Sequence, residues 1–512
     1  MVEAQGAVAH RSRLPAPAIV DPVNFLLATR DTGYRSSAQS IAEFVDNAFQ
    51  AHARRVSVAV TQSHHEEWPI EITITDDGEG MDAAALGRAL TFGGSTRFDD
   101  RSSLGRYGMG LPNGALSRCR RVEVYSWQGR QVLRSRLDLD EIASFRHRTL
   151  PPIEVAQDLP FSPATPTGTM IRLLRCDRIE YKRPSWLVRR LHEEFGRIYR
   201  RFLIAGNRIA INGRAVLVID PLFLAPESAV HGARPFGDEL LYHLVGREGE
   251  GEIRVRFAEL PVERWHGLSV DEKRDRGITN APSVSVLRAD REIDRGWFFM
   301  GGKRRENYDD WWRCEVRFEP TLDEYFGITH SKQTIVPSED LLNVLVPDLE
   351  PIGRALNSRV RQRFDLVRST EPLGAAERQA GRADPSLPPL PRRKDLVPEP
   401  LKDLVNSAER LSPGSPYQIV ASELPSTAAF EVVVRAGRLL LLLNSRHPLY
   451  RDLYGPLATS ESARDQDIAK QLALAILAAA RAEVSTWPRA DGPQARAFRQ
   501  TWADVLSTFM SA

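Results

Sequence analysis

Polar side chains of the kinds that handle water and metal ions share one face of a predicted helix. Apolar residues recur at three- and four-residue spacing over residues 36–53, which predicts a helix that packs on a sheet. Glu43 and Asn47 lie one turn apart on another face of this helix. A carboxylate there can orient a water molecule, and an amide oxygen can bind Mg²⁺. A solvated polar face is the alternative interpretation.

A glycine-rich turn follows a predicted strand at 70–75. Asp76 ends this strand, and Gly78 and Gly80 come directly after it. Two glycines at this spacing let the backbone turn sharply and come close to a flat ligand. The Asp76 carboxylate can accept a hydrogen bond from an exocyclic amine, although a plain acidic turn would have a similar sequence.

A longer glycine-rich stretch covers residues 92–110 and leads into a predicted helix at 111–117. Gly105, Gly108 and Gly110 precede this helix. Backbone N–H groups exposed at a helix start can hold phosphates, and the helix dipole favours their charge. The stretch lacks the Lys-Ser/Thr ending of a P-loop, and its spacing alone is weak evidence.

In their order, these segments resemble the Bergerat ATP-binding fold of the GHKL superfamily. The order is Glu43-x-x-Asp46-Asn47, Asp76-x-Gly78-x-Gly80, Gly105-x-x-Gly108-x-Gly110 and then Gly168-Thr169 at a strand start. The superfamily contains the ATP-binding part of DNA gyrase, the ninety-kilodalton heat-shock chaperones, histidine kinases, MutL mismatch-repair proteins and the Microrchidia (MORC) ATPases. The resemblance implies binding of ATP with Mg²⁺ and slow ATP hydrolysis.

The resemblance also implies a role for each matching position. Glu43 would be the general base, Asn47 the ligand of Mg²⁺, and Asp76 the partner of the adenine amine, supported by Thr169. Glu43 argues against a histidine kinase, whose first motif generally lacks this glutamate. The remaining positions would form the adenine wall (Gly78, Gly80 and Met81) and the lid over the phosphates (Gly93, Gly105, Gly108, Met109 and Gly110), with Asn113 facing the pocket.

A second block of the sequence resembles the transducer domain that follows such ATP sites. Lys332, within "THSKQ", is similar to the transducer lysine that reaches the γ-phosphate, where an ammonium group would detect the terminal charge. The alternative is a surface lysine in a loop. Strand and turn pieces at 208–213 resemble the ribosomal-S5-like transducer fold. Together with "TRDTGYRS" before the first helix, they resemble bacterial MORC-like ATPases over about residues 20–365.

Helices and strands mix without regular βαβ alternation, which predicts an α+β fold. The pattern predicts a helix at 83–90 and strands at 55–61, 122–127, 131–137 and 169–174, besides those above. In the last part of the chain it predicts strands at 431–434 and 438–443, helices at 463–483 and 494–511, and a structural role for His447. The expected domains are a disordered lead (1–20), a Bergerat-fold ATP-binding domain (21–178), an S5-like transducer domain (179–370), a Pro-rich, semi-extended linker (371–400) and a small α/β C-terminal module (401–512).

Composition narrows the class of protein and its partners. The chain has 69 basic and 67 acidic residues, so net charge predicts no polyanionic partner. Three scattered cysteines indicate neither a disulfide framework nor a zinc site. No apolar run approaches the roughly 20 residues of a membrane span, and no secretory signal is visible, so a cytoplasmic protein is expected.

Two basic clusters could still contact DNA. The predicted helix at 186–202 carries five arginines, and Lys303, Arg304 and Arg305 form a second cluster. A solvated helix face balanced by Glu193 and Glu194 is the alternative. The resulting hypothesis is an ATP-dependent homodimer that acts as a clamp on DNA in DNA maintenance or defence. The alternatives are a chaperone-like ATPase acting on protein clients, or a nucleotide-binding scaffold with negligible turnover.

Overall fold

The computed structural model describes most of the chain and divides it into two compact units. The first unit runs to Leu356 without Val262–Gly267, which belong to the second unit together with Asn357–Ala512. None of the described helices combines the length and the apolar character that crossing a bilayer requires. The described residues are 21–31, 34–94, 109–145, 150–246, 249–281, 283–328, 334–392, 395, 397, 401–402, 405, 416–435, 437–487 and 492–511.

The first unit contains an eight-stranded sheet. Its strands are β1 (Arg55–Gln62), β2 (Ile70–Asp76), β3 (Arg121–Gln128), β4 (Gln131–Asp138), β5 (Glu154–Val155), β6 (Thr167–Leu174), β7 (Arg208–Ile211) and β8 (Arg214–Ala215). They lie in the order β5-β4-β3-β6-β2-β1-β7-β8. Neighbouring strands are antiparallel except for β1 and β7, which are parallel. Strand β6 is therefore central although it comes late in the chain.

Helices cover one face of this sheet. They include α1 (Pro22–Asp31), α2 (Ser37–Gln50), α3 (Ala83–Leu90), α4 (Gly110–Leu116), α5 (Leu139–Phe145), α6 (Pro184–Ile198) and α7 (Arg200–Ile204). Helix α2 begins where the Ser36 side chain accepts a hydrogen bond from the Gln39 N–H. Its apolar face, with Ile41 and Val45, packs on alternate residues of β2 such as Ile72. The predicted α+β class is confirmed.

The first core continues beyond residue 178, where we expected the first domain to end. Leu187 and Phe195 of α6 lie in the same core as α2, and β7 adds to the first sheet beside β1. The change in composition after Tyr181 marks the start of an amphipathic helix, with Leu187, Leu191 and Phe195 on its buried side. It does not mark the end of a folded core.

A five-stranded sheet follows in the first unit. Its strands are β9 (Arg234–Gly246), β10 (Gly249–Glu259), β11 (Val284–Arg288), β12 (Arg291–Gly296) and β13 (Trp312–Phe318), in the order β12-β11-β13-β10-β9. Short helices α8 (Val262–Trp265) and α9 (Val270–Asp275) follow β10, and a long helix α10 (Glu339–Ala383) comes after the sheet. Leu341, Leu345 and Leu349 of α10 pack into the core of this sheet. Its likeness to the S5 fold stays a prediction.

Helix α10 corrects the expected linker. It has 45 residues and continues to Ala383, so residues 371–383 are helical and the semi-extended structure predicted for them is wrong. The prolines explain the error, because they cluster after Ala383 while Leu373, Ala375 and Ala376 favour a helix. Leu373 and Ala376 pack into the core of the second unit.

The second unit contains a three-stranded sheet. Its strands are β14 (Tyr417–Ser422), β15 (Phe430–Arg435) and β16 (Arg438–Asn444), in the order β14-β16-β15, and helices α11 (Gly455–Thr459), α12 (Ala463–Thr486) and α13 (Pro493–Ser511) follow. His447 is buried, with Nε2 3.0 Å from Ser507 Oγ and Nδ1 accepting from the Leu449 N–H. Burial lowers the pKa of His447. These contacts support the expected structural role.

Candidate active site

The Glu43 side chain is buried where helices α2 and α4 meet. It is 3% exposed, and a side-chain carbon added to Gly110 would lie 3.0 Å from Glu43 Oε2. The two helices are joined by a hydrogen bond from Ser40 Oγ to the Gly114 carbonyl at 2.7 Å. Asn47, one turn beyond Glu43, is half-buried. The fold thus brings the first motif to the end of the glycine-rich stretch at 92–110, the expected lid segment.

Asp46 has a different environment from the solvated face that the helix pattern permitted. It is 1% exposed and accepts a hydrogen bond from the Tyr199 hydroxyl at 2.8 Å. Arg291 Nε lies 2.9 Å from Asp46 Oδ1 and 2.8 Å from Oδ2. No sequence pattern pointed to Tyr199 or Arg291, because they come from distant segments of the chain.

Asp76 stands at the end of β2 with its carboxylate half-buried. Its Oδ1 accepts from the Gly78 N–H at 2.8 Å, and Thr169 of β6 is its cross-strand neighbour. Burial raises the pKa of Asp76 to about 6, against the hydrogen bonds from the Gly78 and Thr169 N–H groups, which lower it. A half-buried carboxylate in this position can accept a further hydrogen bond from a ligand.

A hydroxyl network supports Asp76 from the neighbouring strands. Thr169 Oγ1 lies 3.0 Å from Ser126 Oγ, and Ser126 Oγ accepts from the Met81 N–H at 2.8 Å. Thr169 and Ser126 are both buried. Ser126 was not predicted from the sequence, although a serine at an inward position of an alternating strand was a usable signal. The network ties Met81 to the strand that carries Thr169.

Gly78 and Gly80 are required by close backbone packing. Gly80 has φ +70°, and a side-chain carbon there would lie 2.2 Å from the Trp127 carbonyl oxygen. At Gly78 the added atom would lie 2.8 Å from the Ala51 carbonyl oxygen. Both distances are shorter than any real contact of this kind, so a side chain would displace the turn. The turn that follows Asp76 is therefore fixed by its glycines.

The lid segment is described at its two ends. Gly93 has φ +76° and an open surrounding, with no atom within 4 Å of an added side-chain carbon. Met109 is half-buried and precedes Gly110, the first residue of α4, while Asn113 of the same helix is 4% exposed. Gly105, Gly108 and Lys332 lie outside the described residues.

The two basic clusters are largely neutralised by carboxylates. Arg189 and Arg190 pair with Glu193, and Arg200 is buried against Glu292 and Glu315. In the second cluster, Lys303 is buried and pairs with Asp309 at 2.6 Å, and Arg305 pairs with Asp310. These contacts favour the alternative of a balanced helix face over a phosphate-binding surface.

The arrangement fits a nucleotide and a single Mg²⁺. Among the described residues, no group of three or more His, Cys, Asp or Glu side chains could hold a metal by itself. Mg²⁺ at a nucleotide commonly takes one or two protein oxygens and completes its shell with phosphates and water. The half-buried Asn47, one turn from Glu43, can supply such an oxygen. Asp76 and the glycine turn can hold a flat base with an exocyclic amine.

Comparison with known proteins agrees with this geometry. Residues 34–164 match the family described as histidine kinase-, DNA gyrase B- and HSP90-like ATPase. The chain is 36% identical over 94 residues to ATPase morc-1 of Caenorhabditis elegans. It is 31% identical over 91 residues both to ATPase MORC2A of Mus musculus and to ATPase MORC2 of Homo sapiens.

The comparisons confirm the predicted GHKL-type ATPase domain in the N-terminal part of the chain. Each MORC match covers 18% of this chain, and only 10% of the worm protein or 9% of the two mammalian proteins. The matched segment ends before strand β6, which supplies Thr169. The likeness to MORC proteins is therefore that of one domain.

Proposed function

We propose that the histidine kinase-, gyrase B- and HSP90-like domain of this chain binds ATP with Mg²⁺ and hydrolyses it slowly. The observation that carries the proposal is the placement of the buried Glu43 carboxylate against Gly110, at the end of the lid segment. A general base must reach the proton that it removes, and a buried carboxylate beside the lid can hold one water molecule in place.

Other residues around Glu43 bind the base and the metal. Asp76 accepts the hydrogen bond of the base amine, and the Thr169–Ser126 pair keeps the strands beside it in register. Asn47 holds the metal, and Mg²⁺ when bound supplies positive charge that offsets the charge of the phosphates. Gly78 and Gly80 keep the turn compact, so the base can lie close to the backbone.

We further propose a MORC-like use of this site. ATP closes the lid between Gly93 and Gly110, Lys332 detects the γ-phosphate, and two copies of the chain dimerise until hydrolysis releases them. Differential contacts of the γ-phosphate in the closed state supply the energy for this switch. DNA held by the dimer is the first candidate partner, although the paired basic clusters mean that other residues would have to contact it.

One observation favours a protein partner as the second candidate. Phe498, Val505 and Phe509 lie on one side of helix α13 in the second unit and are 44%, 45% and 74% exposed. Large apolar side chains that stay exposed together are typical of surfaces that bind other proteins. A chaperone-like ATPase would use the same ATP site with such a surface.

Steady-state ATP hydrolysis with Mg²⁺ tests the central proposal. Glu43→Gln should lower turnover by about 100-fold or more, because it removes the base, while the Kd for ATP stays within about threefold. The matched control is Glu79→Gln, a glutamate of the glycine turn whose side chain is 68% exposed. Equal turnover in the wild type and Glu43→Gln would contradict the proposed base, and a scaffold without turnover would show none in either protein.

Mass in solution tests the proposed dimer. With a non-hydrolysable ATP analogue the mass should double, and Lys332→Ala should weaken this response while leaving the affinity for ADP unchanged. Retention of DNA by the analogue-bound dimer, lost as salt rises, would support the clamp. A dimer that retains no DNA at low salt would favour the protein partner instead.

A further inference from the structure

Strand β12 of the five-stranded sheet reaches the first motif of the ATP site through a buried ion pair. Arg291, its first residue, binds Asp46 through Nε, and the side chains are 5% and 1% exposed. Asp46 lies three residues after Glu43 and directly before Asn47. Burial lowers the pKa of Arg291, but the charges of Asp46, Tyr199 and Glu43 outweigh it, so the net change is upward. Arg291 therefore carries a permanent charge beside the first motif.

A second contact to Asp46 comes from Tyr199, the residue that follows helix α6. The Tyr199 hydroxyl lies 2.8 Å from both Asp46 Oδ1 and the Ala42 carbonyl oxygen, and its one proton is shared between these two acceptors. Tyr199 is fully buried. The middle of α2 is thus fixed by one group from β12 and one from the end of α6. A shift of either group moves Asp46, and with it the turn that contains Glu43 and Asn47.

The next residue anchors β12 itself. Glu292 Oε2 accepts from Arg200 Nη1 at 2.6 Å and from Ser285 Oγ at 2.7 Å, and Arg197 pairs with its other oxygen. Arg200 also binds Glu315 of β13 at 2.7 Å. The charges of Arg200, Glu292 and Glu315 are buried, so none of them can be given up cheaply. These buried pairs therefore hold the start of β12, next to Arg291, in the sheet.

A later residue of β12 contacts the segment at Ile335, which follows "THSKQ" in the sequence. Asp294 Oδ2 accepts from the Ile335 N–H at 3.0 Å. Arg291 and Asp294 are three residues apart, about 10 Å along an extended strand. A polar pocket of about 180 Å³ lies between the first turns of α2 and β12, with Gln39, Arg291 and Asp294 in its wall. The strand therefore touches both the ATP helix and the segment at Ile335.

We propose that Arg291 is a positioning residue that couples helix α2, and through it Glu43 and Asn47, to strand β12 and the segment at Ile335. The proposal rests on the proposed ATPase function and deepens it. In this arrangement the five-stranded sheet sets the alignment of the base, so that turnover depends on the sheet as well as on the ATP domain. Misplacement by about 1 Å can lower a rate by about 100-fold, which makes such an alignment observable.

The test replaces the ion pair and keeps the two side chains able to hydrogen bond. Arg291→Gln alone would leave the buried Asp46 carboxylate without its cation and can prevent folding. The double variant Asp46→Asn/Arg291→Gln removes both charges together. Its matched control is Asp323→Asn/Arg288→Gln, a buried pair between β11 of the same sheet and the segment after β13, with distances of 2.6 and 2.8 Å.

We expect the Asp46→Asn/Arg291→Gln variant to lose at least about tenfold in kcat while its Kd for ATP changes by less than about threefold. A tenfold loss corresponds to about 1.4 kcal/mol in the barrier. The Asp323→Asn/Arg288→Gln control should keep kcat within about twofold of the wild type, even if its Tm falls as far as that of the Asp46→Asn/Arg291→Gln variant. The single variant Arg291→Lys, which retains Asp46 and the positive charge, should have a kcat between those of the wild type and the Asp46→Asn/Arg291→Gln variant.

A second readout follows the coupling directly. With a non-hydrolysable ATP analogue, hydrogen exchange at residues 291–296 should slow in the wild type and the control but not in the Asp46→Asn/Arg291→Gln variant. Equal kcat losses in both double variants, or unchanged kcat and exchange in the first, would overturn the coupling while the ATPase function stands. A wild type that binds no nucleotide would instead reject the proposed function, and the coupling with it.

Discussion

The Asp76→Asn substitution should raise the stability of the fold and lower its affinity for nucleotide, because burying the charged Asp76 carboxylate costs free energy on folding. Burial raises the pKa of Asp76 from 3.8 to about 6. The folded state therefore favours the protonated form, and the contribution to stability is present below pH 3.8 and lost as pH rises through about 6. At pH 7 the cost corresponds to about 3 kcal/mol.

The asparagine side chain has nearly the same shape without this cost. Its amide oxygen can still accept from the Gly78 N–H, which the aspartate binds at 2.8 Å. The charge-assisted hydrogen bonds from Gly78 and Thr169 that the variant gives up are already included in the pKa of about 6, so they do not reduce this gain further. We expect Asp76→Asn to raise the free energy of unfolding without nucleotide by up to about 3 kcal/mol at pH 7, and by about half as much at pH 5, which lies between 3.8 and about 6.

Nucleotide affinity should change in the opposite direction. The NH₂ group of asparagine replaces one acceptor oxygen of Asp76 and opposes the amine of the base. Loss of a hydrogen bond to a charged group costs about 1.5 to 3 kcal/mol, which weakens ATP binding by about 10- to 100-fold. In the wild type, affinity should fall below about pH 6 as Asp76 takes up a proton, whereas the variant should show no such dependence.

Titration calorimetry with ATP and thermal unfolding, each at pH 5 and pH 7, measure both effects. The reasoning would be refuted if Asp76→Asn bound ATP as tightly as the wild type at pH 7. A change in the free energy of unfolding that is equal at both pH values would equally contradict it, because burial of the charge would then not be what raises the pKa.

Three further outcomes are expected. Gly80→Ala should lower the free energy of unfolding, measured with urea, by about 2 kcal/mol or more, because φ is +70° and the Trp127 carbonyl blocks the added methyl group. Gly129→Ala is the control: it has φ +80° but open space around it, so it should cost only about 1 kcal/mol in the same assay. Thr169→Val should weaken ATP binding about fivefold by calorimetry, because it removes the contact with Ser126, and an unchanged Kd would speak against this network. In the second unit, Arg499→Met should cost about 3 to 5 kcal/mol in the same unfolding assay, because the buried Glu483 and the half-buried Glu431 lose their cation. A loss below about 1 kcal/mol would contradict this role.

Much of the fold was visible in local sequence patterns. The helix predicted at 83–90 is observed as Ala83–Leu90, and the predicted strands fall within a few residues of the observed ones. These elements have complete signals in a short window, such as the Asp82 cap on the helix and alternating apolar residues in the strands. Helix α10 was not predicted, although Ser338 Oγ accepts from the Leu341 N–H at its start and Pro385 follows its end, because the prolines after Ala383 were assigned to a linker that began at 371.

Some residues of the candidate site could be predicted from the sequence, and others could not. Glu43, Asp76 and the glycines belong to contiguous motifs, so short stretches of sequence are enough to indicate them. Arg291 lies 245 positions from Asp46 in the chain, and only the packing of two sheets makes them neighbours. The DNA-binding interpretation of the basic clusters weakened for a similar reason, because the carboxylates that neutralise Arg200 come from other strands.

The position of β6 has a consequence for how the chain is made. When a ribosome has released residues up to about 164, strands β1 and β2 form one edge pair and β3, β4 and β5 another group, with nothing between them. Strand β6 then has to insert into the middle of the sheet, and the Asp76–Thr169 neighbours meet only at that moment. Strand β7 and the buried residues of α6 follow later still. A nascent chain that contains every residue of the family match would therefore hold unpaired edges on β2 and β3 until β6 is made, and on β1 until β7 is made, each open to aggregation.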